Sequence, residues 1–172
     1  MKQLIIGACR SGKSAYAERC ANSLGKKQVY IATAEALDVE METRIQRHQA
    51  GRDDTWELCE TPIELAAAIN RYDDSNTCIL IDCLTLWLSN CLLSEDSELW
   101  MNEREKFITS LKASRSDVLL VGNEVGSGII PMGEINRTFV DENGRLHQVL
   151  AEMCDEVNYI VAGLPHTLKS KS

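Results

Sequence analysis

A chain of 172 residues can bury one full hydrophobic core but not two ordinary ones, so it reads as a single domain spanning 1–172. With 44% hydrophobic and 26% charged residues, it is neither disordered nor fibrous in composition. Its net charge of −8 excludes a protein that works mainly by gripping a nucleic-acid backbone, but allows a small phosphate ligand held by local amides and one lysine.

Taken in order, the chain opens on the apolar run Leu4–Ile6, too short for a signal-peptide core, and export is not expected. Further short runs rich in Ile, Leu and Val, at Val29–Ala32, Ile79–Ile81, Val118–Val121 and Tyr159–Val161, predict strands covered on both faces. Trp56–Cys59 predicts an added edge strand. Between them, helical spacing or composition marks Lys13–Leu24, Val39–Gln49, Ile63–Arg71, Leu84–Leu93, Glu98–Ser114 and Leu146–Cys154. This alternation predicts an α/β fold of the P-loop NTPase type: a mostly parallel sheet with helices on both faces. Asp73–Thr77 and Ser94–Ser97 read as loops, and Lys169–Ser172 as a frayed end. The apolar stretch from Cys78 to Leu93 is broken by Asp82, Thr85, Ser89 and Asn90, so no membrane insertion is expected.

The seven cysteines form no C-x-x-C pair and no zinc-ligand spacing, which predicts reduced core thiols and no structural metal. Cys9, inside a glycine-bounded loop, stands out as the thiol placed to react.

That loop, Gly7-Ala8-Cys9-Arg10-Ser11-Gly12-Lys13-Ser14, follows the first strand and opens the first helix. Gly7 allows the tight turn, and Gly12 lets backbone N–H groups close around phosphate oxygens. Lys13 would neutralise the β- and γ-phosphates, and the Ser14 hydroxyl would ligate Mg2+. Asp82 ends the third apolar run, where an acidic side chain reaches the metal. The competing role for Asp82 is the N-cap of the helix from Leu84, and the two are compatible.

A phosphate loop fixes the ligand and leaves the reaction open. Residues Asp38 to Arg52 read as a short helix closed by Gly51. Arg44 and His48 share one face of it, with Arg47 and Arg52 nearby. The arginines would neutralise phosphate oxygens and hold His48 neutral, leaving a lone pair for attack on phosphorus. A solvated basic face carrying an incidental histidine is the alternative, and His147 and His166 lack such surroundings.

Three motifs together, Gly7–Ser14, Asp38-x-Glu40-Met41-x-x-Arg44-Ile45-x-x-His48 with Arg52 and Trp56, and Asn123-Glu124-Val125-Gly126-Ser127-Gly128-Ile129-Ile130-Pro131, resemble the bifunctional adenosylcobinamide kinase/adenosylcobinamide-phosphate guanylyltransferase family. The resemblance covers nearly the whole chain. It implies a cytoplasmic, trimeric enzyme of cobalamin assembly. Such an enzyme phosphorylates the aminopropanol hydroxyl of adenosylcobinamide with ATP or GTP, then transfers GMP from GTP through a histidine, here His48. It further implies nucleotide contacts from Gly7–Ser14, from Ala32, Thr33 and Ala34, from Gln49, Ala50, Gly51 and Arg52, and from Glu60 and Asp82. A carboxylate such as Glu60 accepts from both N1–H and the exocyclic amine of guanine, which adenine cannot reproduce. For Asp82, base or sugar recognition competes with the metal role. The chain departs from the family where Arg47 precedes His48 in place of a second histidine, and where His147 stands in place of the usual Asn.

Two other classes remain open to the sequence. A monofunctional small-molecule kinase would release ADP without GTP-dependent pyrophosphate, and a GTP-gated regulatory module would lack corrinoid-dependent turnover. Asn123–Pro131, after a strand, is expected to be a substrate or subunit-contact loop, a plain turn being the alternative.

Overall fold

The computed structural model describes residues 1–34, 55–129 and 131–170. Among these residues seven strands form one sheet in the order β3-β2-β4-β5-β1-β6-β7. They are β1 (Lys2–Gly7), β2 (Lys27–Ala32), β3 (Trp56–Glu60), β4 (Thr77–Asp82), β5 (Asp117–Asn123), β6 (Glu156–Val161) and β7 (Leu164–Lys169). Every pairing is parallel except β6 with β7. Among the described residues the helices are α1 (Lys13–Ser23), α2 (Leu65–Tyr72), α3 (Leu84–Leu92), α4 (Leu99–Ala113) and α5 (Glu134–Met153).

The short apolar runs become central strands because consecutive side chains are buried on opposite faces. Ile79 and Ile81 of β4 join Leu4, Val29, Ile31, Val118 and Leu120 in one core. Cys78 and Leu80 join Ile5, Tyr30, Leu119 and Val121 in the other. The first core is roofed by α2, α3, α4 and α5, and the second packs on Ala17 and Ala21 of α1. Aromatic rings tie the roof together: Trp87 lies 5.2 Å from Trp100 and 4.9 Å from Phe107, centroid to centroid. Both indole N–H groups are satisfied, Trp87 by the Ile63 carbonyl at 2.7 Å and Trp100 by the Glu142 carboxylate at 2.8 Å.

The predicted strands and helices fall in place where the described residues cover them, with three differences. The final helix begins at Glu134, twelve residues before the expected Leu146, because two of its four buried positions are polar, Asn143 and His147 beside Leu146 and Leu150. Strand β7 was unanticipated because its side chains are exposed and carry no apolar alternation, and of the end expected to fray, Lys169–Ser172, it takes in only the first residue. Lys169 belongs to this strand, and its ammonium donates to the Ala151 and Glu152 carbonyls at the end of α5, the place where a cation satisfies unpaired helix carbonyls. The N-cap of α3 is Cys83 and not Asp82: the Cys83 sulfur accepts from the Leu86 N–H at 3.4 Å. The expected helix Val39–Gln49 lies outside the described residues.

The seven cysteines are free thiols, and Cys78, Cys83, Cys91 and Cys154 are buried. Burial pushes Cys78, Cys91 and Cys154 up to about 12 and Cys83 up to about 11, so these thiols stay protonated and inert. No helix among the described residues is long and apolar enough to cross a membrane.

Candidate functional site

Parallel strands end together, and their carboxyl ends form one row. Register pairs Glu60 with Ala32, Ala32 with Asp82, Asp82 with Val121, and Gly7 with both Asn123 and Ile160. The row therefore carries, from one edge inward, the end of β3 with Glu60, the β2 end with Thr33 and Ala34, Asp82 on β4, Asn123 at the end of β5 with Glu124 after it, and the loop from Gly7 to Ser14 at the end of β1. Open α/β sheets bind ligands at this edge.

The loop is built for an anion. A Cβ at Gly7 would stand 2.6 Å from both the Ile160 carbonyl oxygen and the Ser11 hydroxyl, so only glycine fits where the chain leaves β1. Arg10 at φ 56° and Gly12 at φ 93° are in the left-handed region, the backbone form that turns successive N–H groups toward one concavity. Gly12 is also the N-cap of α1 and supplies no side-chain acceptor for the first-turn N–H groups. The Ser11 hydroxyl is buried without a partner among the described residues, and the buried Lys13 folds its ammonium over the loop onto the Ala8 carbonyl at 3.2 Å. Ala8, Cys9 and Arg10 are exposed on the outer rim. A cradle of unused donors around one lysine fits a polyphosphate.

The loop is braced on both sides. Gly7 accepts at its carbonyl from the Glu124 N–H at 2.9 Å, and Ser11 accepts from the Gly163 N–H at 2.8 Å. Gly163 lies in the turn of the β6–β7 hairpin, where Ala162 and Gly163 both have positive φ, the form that matches strand twist in a two-residue turn.

Asp82 is set two strands from β1, and its Oδ2 accepts from the Tyr30 hydroxyl at 3.0 Å, fixing the carboxylate. Ser14 is half-buried in the first turn of α1. No group of three or more His, Cys, Asp or Glu side chains gathers among the described residues. The Ser14 hydroxyl and the Asp82 carboxylate are oxygen donors of the kind Mg2+ takes.

Thr33 is fully buried and wholly engaged: its hydroxyl donates to the Cys83 carbonyl and accepts from the Cys83 N–H, both at 2.8 Å, and its carbonyl accepts from Asn90 at 2.9 Å. It locks the β2 end to the β4 end, flanked by the half-buried Ala32 and Ala34. Glu60 is exposed at the edge strand. With strands about 4.8 Å apart, the four steps from β3 to β1 separate it from Gly7 by roughly 19 Å, so the two serve different parts of a ligand, or different ligands. His48, Gln49, Ala50, Gly51 and Arg52 lie outside the described residues.

Sequence reasoning missed the support beneath β5. On α5, one turn apart, Asn143 and His147 are buried against this strand. Asn143 donates to the Asn123 carbonyl at 3.1 Å, and His147 fills the space left by Gly122, where a Cβ would meet Nε2 at 2.8 Å. Burial lowers the His147 pKa below the ordinary imidazole value, against an opposing pull from Glu124. Among the described residues, His147 Nε2 and Asn143 Oδ1 have no hydrogen-bond partner. The available signal was the four-residue spacing of two polar residues on one helix face, which an apolar count passes over.

Comparison with known proteins places this chain in a family. A P-loop α/β fold is evident from the RadB recombinase (TM-score 0.53, 16% identity, covering 92% of this chain and 73% of that one). A KaiC-like protein of Pyrococcus horikoshii is similar (TM-score 0.55, 12% identity, covering 99% and 82%). At such identities only the fold is shared. The bifunctional adenosylcobalamin biosynthesis protein CobP of Pseudomonas aeruginosa is 46% identical over 171 residues, 99% of both chains. The proteins of that description named CobU are 34% identical in Escherichia coli, over 98% of this chain and 100% of that one, and 35% identical in Salmonella typhimurium, with the same coverage. The model of the cobinamide kinase / cobinamide phosphate guanyltransferase family matches residues 3–168, and the chain belongs to that family.

Proposed function

We propose that this protein phosphorylates adenosylcobinamide and then transfers GMP from GTP to the new phosphate, giving adenosylcobinamide-GDP and pyrophosphate. The observation that carries the reading is the loop Gly7–Ser14, with its unpartnered Ser11 hydroxyl and uncapped helix start, in a chain of the cobinamide kinase family.

In the kinase step the loop amides and Lys13 hold the β- and γ-phosphates of ATP or GTP in line with the acceptor hydroxyl. Ser14 and Asp82 would hold Mg2+, which would supply positive charge to offset that developing on the transferred phosphate. Asp82 alternatively meets the sugar or base, and its fixed carboxylate suits either task.

In the second step His48 attacks the α-phosphorus of GTP. An N–P bond forms, pyrophosphate leaves, and the substrate's phosphate oxygen then displaces the imidazole. Gln49, Ala50, Gly51 and Arg52 would line the nucleotide there, as the family resemblance implies. Glu60, exposed at the end of β3, would read guanine through its N1–H and amine. Ala32 and Ala34 would approach the ligand from the β2 end, with Thr33 as the buried strut between them. The same resemblance supports a homotrimer in the cytoplasm.

Incubation with α-labelled GTP should leave an acid-labile label on the wild-type chain and none on His48→Ala, which keeps corrinoid-dependent phosphoryl transfer. An unlabelled wild-type chain would contradict the covalent step, and nucleotide binding without corrinoid-dependent turnover would favour a regulatory module.

A further inference from the structure

Glu124 has no role in the steps above, yet it occupies the position nearest the phosphate loop on the neighbouring strand. Asn123 pairs with Gly7 in the sheet, and Glu124 follows it, donating its N–H to the Gly7 carbonyl at 2.9 Å. The preceding peptide is fixed from two helices. The Asn123 N–H donates to the Thr85 hydroxyl of α3 at 2.7 Å, and the Asn123 carbonyl accepts from Asn143 of α5 at 3.1 Å. The loop that follows then holds the side chain itself: Glu124 Oε1 accepts from the Gly126 N–H at 2.5 Å and the Ser127 hydroxyl at 3.1 Å. Two donors on one oxygen set the carboxylate's orientation, and among the described residues no hydrogen bond is made to Oε2.

The other carboxylates of the sheet edge are placed for different work. Asp82 is one strand further from β1 and engaged by Tyr30, and Glu60 is two strands beyond that. Lys13 is a cation and would be occupied by phosphate. Phosphoryl transfer to an alcohol releases a proton, and a base oriented beside the γ-phosphate is the group that such a site requires.

Resting on the kinase reading above, we propose that Glu124 is the catalytic residue that orients the acceptor hydroxyl and takes its proton. As the alcohol oxygen forms its bond to the γ-phosphorus, the bond from that phosphorus to the bridging oxygen breaks. Its electron pair leaves on the β-phosphate of the nucleoside diphosphate, and the alcohol proton passes to Glu124 Oε2 and then to water. Glu124 serves the phosphoryl transfer and not the guanylyl transfer, in which the acceptor is a phosphate already ionised.

The test compares wild type, Glu124→Gln and Glu124→Asp in three assays: adenosylcobinamide phosphorylation, affinity for the magnesium nucleotide, and guanylyl transfer onto ready-made adenosylcobinamide phosphate. Glu124→Gln keeps an acceptor for Gly126 and Ser127 but is no base, so kcat of phosphorylation should fall about 10²- to 10⁴-fold. Nucleotide affinity and guanylyl transfer should stay within about threefold, and Glu124→Asp should recover part of the rate. Phosphorylation by Glu124→Gln within threefold of wild type would overturn the proposal. So would a parallel loss of guanylyl transfer or nucleotide binding in both variants, which would make Glu124 a structural residue. Failure of the wild-type protein to phosphorylate the corrinoid would instead remove the kinase reading on which the proposal rests.

Discussion

The Gly163 N–H donates to the Ser11 carbonyl at 2.8 Å, and a Cβ at Gly12 would stand 3.0 Å from the Gly163 Cα. The hairpin turn therefore seals one side of the phosphate loop, joining two parts of the chain about 150 residues apart in sequence. Gly163 has φ 80° and open space around its Cβ position, so Gly163→Ala tests the backbone alone. We expect it to cost about 1 kcal/mol in thermal or denaturant unfolding and to weaken magnesium nucleotide binding several-fold by loosening the brace. Gly12→Ala, with φ 93° and the close Gly163 contact, should weaken binding by more than tenfold.

Cys9 is exposed on the rim of the loop, whereas four other thiols are buried and pushed well above the usual range. A maleimide in mild excess should modify Cys9 before those four, as peptide mapping would read, and saturating magnesium GTP should slow that modification several-fold. Equal labelling of Cys9 with and without nucleotide would mean that the ligand sits elsewhere.

His147 couples pH to stability. Its burial lowers the folded-state pKa, so the native imidazole stays neutral while the unfolded chain takes up a proton as pH falls through about 6.5. The unfolded state then binds more protons, and stability must drop on acidification below that point. Melting temperatures between pH 7.5 and 5.5 should decline more steeply for the wild type than for His147→Asn, which keeps a polar side chain without the titration. Parallel slopes would show that His147 is not held neutral.

Most of the fold was legible because parallel strands buried on two faces announce themselves as apolar runs such as Ile79–Ile81, and the loop from Gly7 to Ser14 carries its chemistry in sequence order. The first half of α5 was not, because Asn143 and His147 occupy buried positions that an apolar period cannot register. Nor was β7, whose exposed side chains leave no pattern and whose pairing is fixed by the Ala162–Gly163 turn. Asp82 illustrates an intermediate case. Its place at the end of β4 followed from the sequence, but the cap of α3 passed to Cys83, and the Tyr30 contact depends on β2 lying beside β4, which spacing does not encode. Glu124 was visible as a loop residue after a strand, while its nearness to Gly7 follows only from the strand order.

Titration calorimetry of the intact protein with Mg2+ and GTP or ATP bears most directly on whether the Gly7–Ser14 cradle holds a triphosphate. The expected result is saturable heat for the wild-type protein that falls by at least about tenfold in affinity for Lys13→Ala, whose ammonium completes the cradle. Absence of binding heat from folded wild-type protein, or unchanged affinity in Lys13→Ala, would contradict the placement of the nucleotide and with it the chemistry assigned to this edge of the sheet.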